Sequence, residues 1–121
     1  MKILITGATG FVGSHLVEYC LQKPNVKIYG TFFSDNFNNE LKKTNHTKGK
    51  VEFLKCDFTD KNSVNKVLLE SKPNKIFHLA GQSSVTLSFQ SPEKTILNNI
   101  TSDINIFKAI EKWRAKYKGN C

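Results

Sequence analysis

The stretch ITGATGFVGSHL, Ile5 to Leu16, places Gly7, Gly10 and Gly13 where a strand pattern gives way to a helix pattern. Before it, Lys2 to Thr6 is a short Ile-rich run, the signature of a buried strand. After it, Val12, Leu16 and Cys20 recur four apart, flanked by Val17 and Leu21, which predicts a helix over Phe11–Gln22 ended by Pro24. Glycine is a poor residue for a helix interior, so three of them at this junction need a reason. In a strand-to-helix turn, the first can adopt a backbone angle closed to other residues. The second, lacking a Cβ, lets a pyrophosphate approach the main chain, and the third lets helix and strand pack closely. Amides at the helix start and the helix dipole then favour the negative charge. The spacing is GxxGxxG rather than GxGxxG, and its weight comes from the strand before and the helix after. A purely structural turn is the competing reading.

Working outward, Val26–Phe33 reads as a second strand and Val51–Cys56 as a third, separated by a polar Asn- and Lys-rich loop. Thr59 or Asp60 caps a helix with the stripe Val64, Val67 and Leu68. Pro73 and Asn74 turn the chain into a fourth strand, Lys75–Ala80. A long helix follows over Pro92–Trp113, with proline in its first turn. Its stripe is Ile96, Ile100, Ile104, Phe107 and Ile110, widened by Leu97, Ile106 and Trp113. Alternation of strands and helices predicts an α/β fold: an incomplete, Rossmann-type doubly wound parallel sheet with flanking helices and right-handed crossovers. There is no internal repeat and no internal domain boundary.

A ribose-gripping acid is expected ~20 residues beyond the glycines. That position falls at Phe33, and the nearest carboxylate is Asp35, which reads equally well as the opening of the polar loop. No arginine stands nearby to hold a 2′-phosphate, although Ser34, Lys42 and Lys43 are polar or cationic candidates. NAD and NADP both stay open.

The 121 residues suffice for one modest core, and 39% hydrophobic with 23% charged residues is ordinary for a soluble globular protein. No apolar run approaches the ~20 residues of a membrane helix. The apolar run of MKILIT is too short for a signal peptide and is followed by Gly7 and Gly10. Three cysteines with no CxxC pair disfavour a disulfide framework and a zinc site and fit a cytoplasmic, reducing compartment. No metal site is expected, because His15 and His46 have no ligand constellation and His78, on an apolar strand, reads as a satisfied core histidine. The net charge of +8 invites a nucleic-acid reading. Scattered lysines and a single arginine, Arg114, argue against it.

With TGATGFVGSHL and FHLAGQSSVTLSFQSPEKTILNNI both read, the chain resembles the extended short-chain dehydrogenase/reductases over nearly its whole length. Within them it is most similar to the sugar-nucleotide dehydratase/epimerase group, GDP-mannose 4,6-dehydratase-like. The resemblance implies that Gly7, Gly10, Phe11, Val12 and Gly13 hold the cofactor pyrophosphate, and that Asp57 and Phe58 touch the adenine. Leu79, Ala80 and Gly81 would run beside the cofactor riboses, and Gln82, Ser83 and Ser84 would face the nucleotide-sugar entrance. Asn99 matches an asparagine that supports the catalytic tyrosine and lysine. Asp57 and Ser83 also read as simple turn residues. The implied activity is that of an NAD(P)-dependent lyase or isomerase, exchanging a hydride at the sugar C4 around elimination or epimerisation, and working as a homodimer.

The chain departs from the family pattern at Gly81, Ser102 and Asp103, and at Phe33 and Ser34, where GDP-mannose dehydratases carry arginines. Residues 1–121 correspond to the N-terminal part of an NAD(P)-binding domain, without the fifth strand, the Tyr-x-x-x-Lys helix beyond it and the substrate domain. None of Tyr19, Tyr29 and Tyr117 is assigned as that tyrosine, so these residues alone are expected to be catalytically inactive. The alternatives are a non-catalytic dinucleotide sensor on the same fold or another extended short-chain reductase.

Overall fold

A computed structural model of the chain describes residues 1–33, 50–80 and 91–118. Four parallel strands, β1 (Lys2–Thr6), β2 (Lys27–Phe32), β3 (Val51–Lys55) and β4 (Lys75–His78), form one sheet in the order β3-β2-β1-β4. Helix α1 spans Phe11–Leu21, α2 spans Lys61–Ser71 and α3 spans Pro92–Trp113, with a π-helical turn over Arg114–Lys118. The chain forms two compact units, Met1–Cys56 with Ser71–Leu79, and Asp57–Glu70 with Ala80–Cys121.

The first unit holds the sheet and α1. Strand alternation puts Ile3 and Ile5 on one face of β1, in register with Ile28 and Gly30 of β2. Against that face α1 packs Val17 and Cys20, with Leu16, Leu21, Val51 and Phe53 closing the cluster. Full burial of Ile5, Val17 and Ile28 contributes about 1.5–3 kcal/mol each. Burial pushes the Cys20 thiol up, against the opposing pull of Lys23, so it packs as a neutral thiol. Neither Cys20 nor Cys56 is in a disulfide.

β4 ends at His78, two residues short of the expected Ala80. The reason is local: the Leu79 N–H donates to the Thr6 side-chain oxygen (2.9 Å) instead of continuing the ladder.

In the second unit, Val64, Val67 and Leu68 of α2 are buried as their spacing predicts. Asp60 is the cap, its Oδ1 accepting the Asn62 N–H (3.1 Å). The stripe of α3 is a correction. Ile96, Leu97, Ile100, Ile104 and Phe107 are all exposed, Phe107 by 68%, and only Ile106 of the expected set is fully buried. The inward face carries Thr95, Ser102, Asn105, Ile106 and Ala109 instead. Small side chains allow close packing, and backbone carbonyls satisfy two of the polar ones: Thr95 by Ser91 (3.1 Å) and Asn105 by Phe58 (2.8 Å).

Candidate functional site

β1 has β2 and β3 on one side and β4 on the other, so strand order reverses beside β1. In open parallel sheets, ligands bind outside the carboxyl ends of the strands at such a point. The glycine turn leaves β1 at that edge. Gly7 has φ 67°, the left-handed conformation that favours glycine. Its N–H donates to Thr31 Oγ1 (3.1 Å), and the Ala8 N–H donates to the Thr31 carbonyl (3.0 Å). The Gly10 N–H donates to the Gly7 carbonyl (3.1 Å), and the Gly10 carbonyl accepts the Ser14 N–H (2.9 Å), starting α1.

The three glycines therefore do different things. A Cβ on Gly13 would overlap the Gly7 carbonyl oxygen and come within 2.9 Å of Ala8 Cα, so the helix could not lie this close to the turn. Gly10 is unlike that: its φ of −75° and ψ of 174° suit any residue, and an added Cβ would meet nothing nearer than Gly7 O at 3.4 Å. Among the described residues, nothing in the packing demands glycine at position 10.

The amides of Gly7 and Ala8 are committed to Thr31 of β2, and that of Gly10 to the turn itself. An α-helix leaves its first amides without an intrahelical acceptor, here those of Phe11, Val12 and Gly13. Gly10 supplies no side-chain cap, and the first turn of α1 carries no acid. Phe11 and Val12 are 82% and 63% exposed. Among the described residues the result is an uncapped, positively polarised helix end with exposed first side chains, and these residues suit the diphosphate of a dinucleotide.

Beside the turn, buried Thr6 joins the two strands at the reversal. Its Oγ1 accepts the Leu79 N–H and hydrogen-bonds His78 Nδ1 (2.7 Å). That bond fixes Leu79, which is 41% exposed, at the carboxyl edge of the sheet. His78 is a satisfied structural histidine, as its apolar strand suggests.

In the second unit, Asp57 is held in a side-chain turn: Oδ1 accepts the Thr59 N–H (3.0 Å) and hydroxyl (2.6 Å). The Asp57 N–H donates to Ser63 Oγ (3.0 Å). Phe58 is buried and its carbonyl accepts Asn105 Nδ2, so α3 anchors the segment that carries Asp57. Ala80 and Asn99 are half-buried. Ser34, Asp35, Gly81, Gln82, Ser83 and Ser84 lie outside the described residues.

Two contributing residues escape a reading by motif. Thr31 looks like any β-branched strand residue, and Asn105 like one more polar position on a helix. The one sequence signal for Asn105 is its place beside Ile106 on the face opposite the apolar stripe. Tyr19 and Lys23 do have the Tyr-x-x-x-Lys spacing, so spacing alone does not set Tyr19 aside. Position does. Tyr19 is eight residues beyond Phe11 on α1, about 12 Å along the helix from the phosphate end. Lys23 Nζ lies over its ring, 4.9 Å from the centroid. Among the described residues no group of three or more His, Cys, Asp or Glu side chains is placed to hold a metal ion. No helix among them is long and apolar enough to cross a membrane.

Comparison with known proteins decides the family. The model of the GDP-mannose 4,6 dehydratase family matches residues 4–119. The chain belongs to the GDP-mannose 4,6 dehydratase family. CDP-paratose 2-epimerase of Salmonella typhi is 30% identical over 122 residues, covering 100% of this chain and 35% of that protein. A GDP-mannose 4,6-dehydratase of Vibrio cholerae is 32% identical over 112 residues, covering 88% of this chain and 30% of its own length. Among solved structures, Thermus thermophilus UDP-glucose 4-epimerase in complex with NAD superposes with a TM-score of 0.77 at 27% identity, over 93% of this chain and 34% of that one. This member of the family thus spans about a third of the length of the relatives it matches. The family's sugar-nucleotide dehydratase/epimerase character and the α/β fold agree with the reading of the glycine motif and the HLAG segment.

Proposed function

We propose that this chain is the dinucleotide-holding part of an NAD(P)-dependent enzyme that dehydrates or epimerises a nucleotide sugar, GDP-mannose being the substrate the family model suggests. The observation that supports it most is the amino end of α1: uncapped, free of acids, and fronted by a Gly10 that the fold itself does not need. The Phe11, Val12 and Gly13 amides bind the diphosphate, while Gly7 and Gly10 shape the turn and clear its approach. Asp57 and Phe58 border the adenine, with Ser34 and Asp35 nearest its ribose. Leu79, held by Thr6, starts the segment Leu79–Gly81 that follows the dinucleotide toward its reactive ring. Gln82, Ser83 and Ser84 face the sugar nucleotide, and Asn99 supports the proton-transfer pair. A bound nicotinamide supplies the hydride chemistry, and the chain supplies orientation and electrostatics.

The Tyr-Lys proton path belongs to the part of the protein beyond these residues, so the 121 residues bind cofactor without turning over sugar. The exposed stripe Ile96, Leu97, Ile100, Ile104 and Phe107 joins two copies of the whole protein as a homodimer. Its compartment is the cytoplasm, and neither nucleic acid nor membrane is a partner. Two measurements test the reading. The purified chain is expected to bind NADH or NADPH in a fluorescence titration, and the whole protein is expected to convert a nucleotide sugar to a 4-keto or epimerised product. Absence of any dinucleotide binding overturns it, and turnover by the 121 residues alone overturns the assignment of the proton path.

A further inference from the structure

We propose that Thr31 is a positioning residue of the diphosphate cradle, holding the glycine turn through its hydroxyl so that the first amides of α1 point at the ligand. The inference rests on the dinucleotide reading of the site. Two successive amides of the turn, Gly7 and Ala8, end on this one residue of the neighbouring strand, at its Oγ1 (3.1 Å) and its carbonyl (3.0 Å). Thr31 is 1% exposed, so its hydroxyl is held inside the fold as a fixed acceptor for the half-buried Gly7 amide. From there the bonds run in series. Gly7 donates to Thr31, the Gly7 carbonyl accepts from Gly10, and the Gly10 carbonyl accepts from Ser14, the first intrahelical bond of α1.

The orientation of the helix's first turn is therefore transmitted from β2 through Gly7. The carbonyl oxygen of Gly7 also sits where a side chain at Gly13 would be, so a rotated Gly7 would displace the closest contact between turn and helix. The backbone bond from Ala8 survives any substitution at position 31. The hydroxyl bond from Gly7 does not, and it restrains the one residue of the turn in the left-handed conformation. A half-buried amide deprived of its fixed acceptor is free to turn toward another partner. Here that movement turns the Phe11 and Val12 amides away from the phosphates. A threonine hydroxyl also does this holding without adding a negative charge beside a dianionic ligand.

The test uses Thr31→Val, isosteric but without the acceptor, and Thr31→Ser, which keeps it. Amide hydrogen exchange followed by NMR is expected to show Gly7 protected in the parent chain and in Thr31→Ser. In Thr31→Val the Gly7 amide exchanges at least about tenfold faster while Ala8 stays protected, because only the hydroxyl bond is lost. In NADH titrations, Thr31→Val weakens binding about tenfold and Thr31→Ser stays within about threefold. A general loss of structure would move Gly7 and Ala8 together and would not be rescued by serine. NADH affinity unchanged in Thr31→Val, or equal losses in the two variants, overturns the role of Thr31 and leaves the dinucleotide reading standing. No NADH or NADPH binding by the parent chain overturns both. Should Thr31→Val not fold, a fast-exchanging Gly7 amide in the parent chain, or loss of NADH affinity in a folded Thr31→Ser, still overturns the proposal.

Discussion

Substituting Gly10 and Gly13 separates what the fold requires of the glycine turn from what a ligand requires. At Gly10 the backbone is extended and an added Cβ finds only an ordinary contact, 3.4 Å from Gly7 O. Gly10→Ala restricts the unfolded chain, which stabilises by about 0.4–1 kcal/mol. It also places alanine at a helix N-cap, which costs about as much. The two nearly cancel, and the urea midpoint should move little. At Gly13 the added Cβ collides with the backbone at Gly7 and Ala8, which cannot rotate away as a side chain can. Gly13→Ala should lose about 3 kcal/mol or more. Binding reverses the order of interest. Gly10→Val puts a branched side chain in the phosphate path. Loss of one charge-assisted amide–phosphate bond, about 1.5–3 kcal/mol, weakens NADH about ten- to a hundredfold. Circular dichroism in urea gives the stabilities and NADH fluorescence gives the affinities. Undiminished affinity in Gly10→Val, or unfolding of Gly10→Ala as severe as that of Gly13→Ala, refutes the division of labour.

Three further outcomes are expected. Asn105→Leu removes the 2.8 Å bond to the Phe58 carbonyl and should lower stability by about 1–3 kcal/mol, read as a drop in melting temperature. Asp60→Ala removes the cap of α2 and should cost about 0.5–2 kcal/mol in urea unfolding. Ile100→Glu with Phe107→Glu, at positions 50% and 68% exposed, should change monomer stability by no more than about 0.5 kcal/mol per site while abolishing the proposed dimer of the whole protein in sedimentation velocity.

Much of this architecture is legible in the sequence because it rests on local periodicity. The pattern Val64, Val67, Leu68 names the buried face of α2, and the Ile-rich run before Gly7 names the central strand β1. Periodicity fails on α3, where the spacing reveals an apolar face but not what covers it. There the tighter packing is made by Thr95, Ser102 and Asn105. The burial of Asn105 depends on a backbone carbonyl far away in sequence, that of Phe58, 47 residues before it. The same limit hides Thr31. Its partner is set by strand register and a positive φ at Gly7, and neither is a property of threonine's own neighbourhood. The order of the glycines in the motif assigns the close packing to Gly13 rather than Gly10, and the position of the Gly7 carbonyl supplies the physical cause.

The unoccupied main-chain N–H groups at the start of α1 are expected to grip a dinucleotide diphosphate. Titrating NADH and NADPH into isotope-labelled protein and following the amide resonances tests it most directly. Saturable shifts largest at Phe11, Val12 and Gly13, with Gly7 and Ala8 moving less because their amides are already bonded, are predicted. Saturation with those three resonances unmoved would contradict the account.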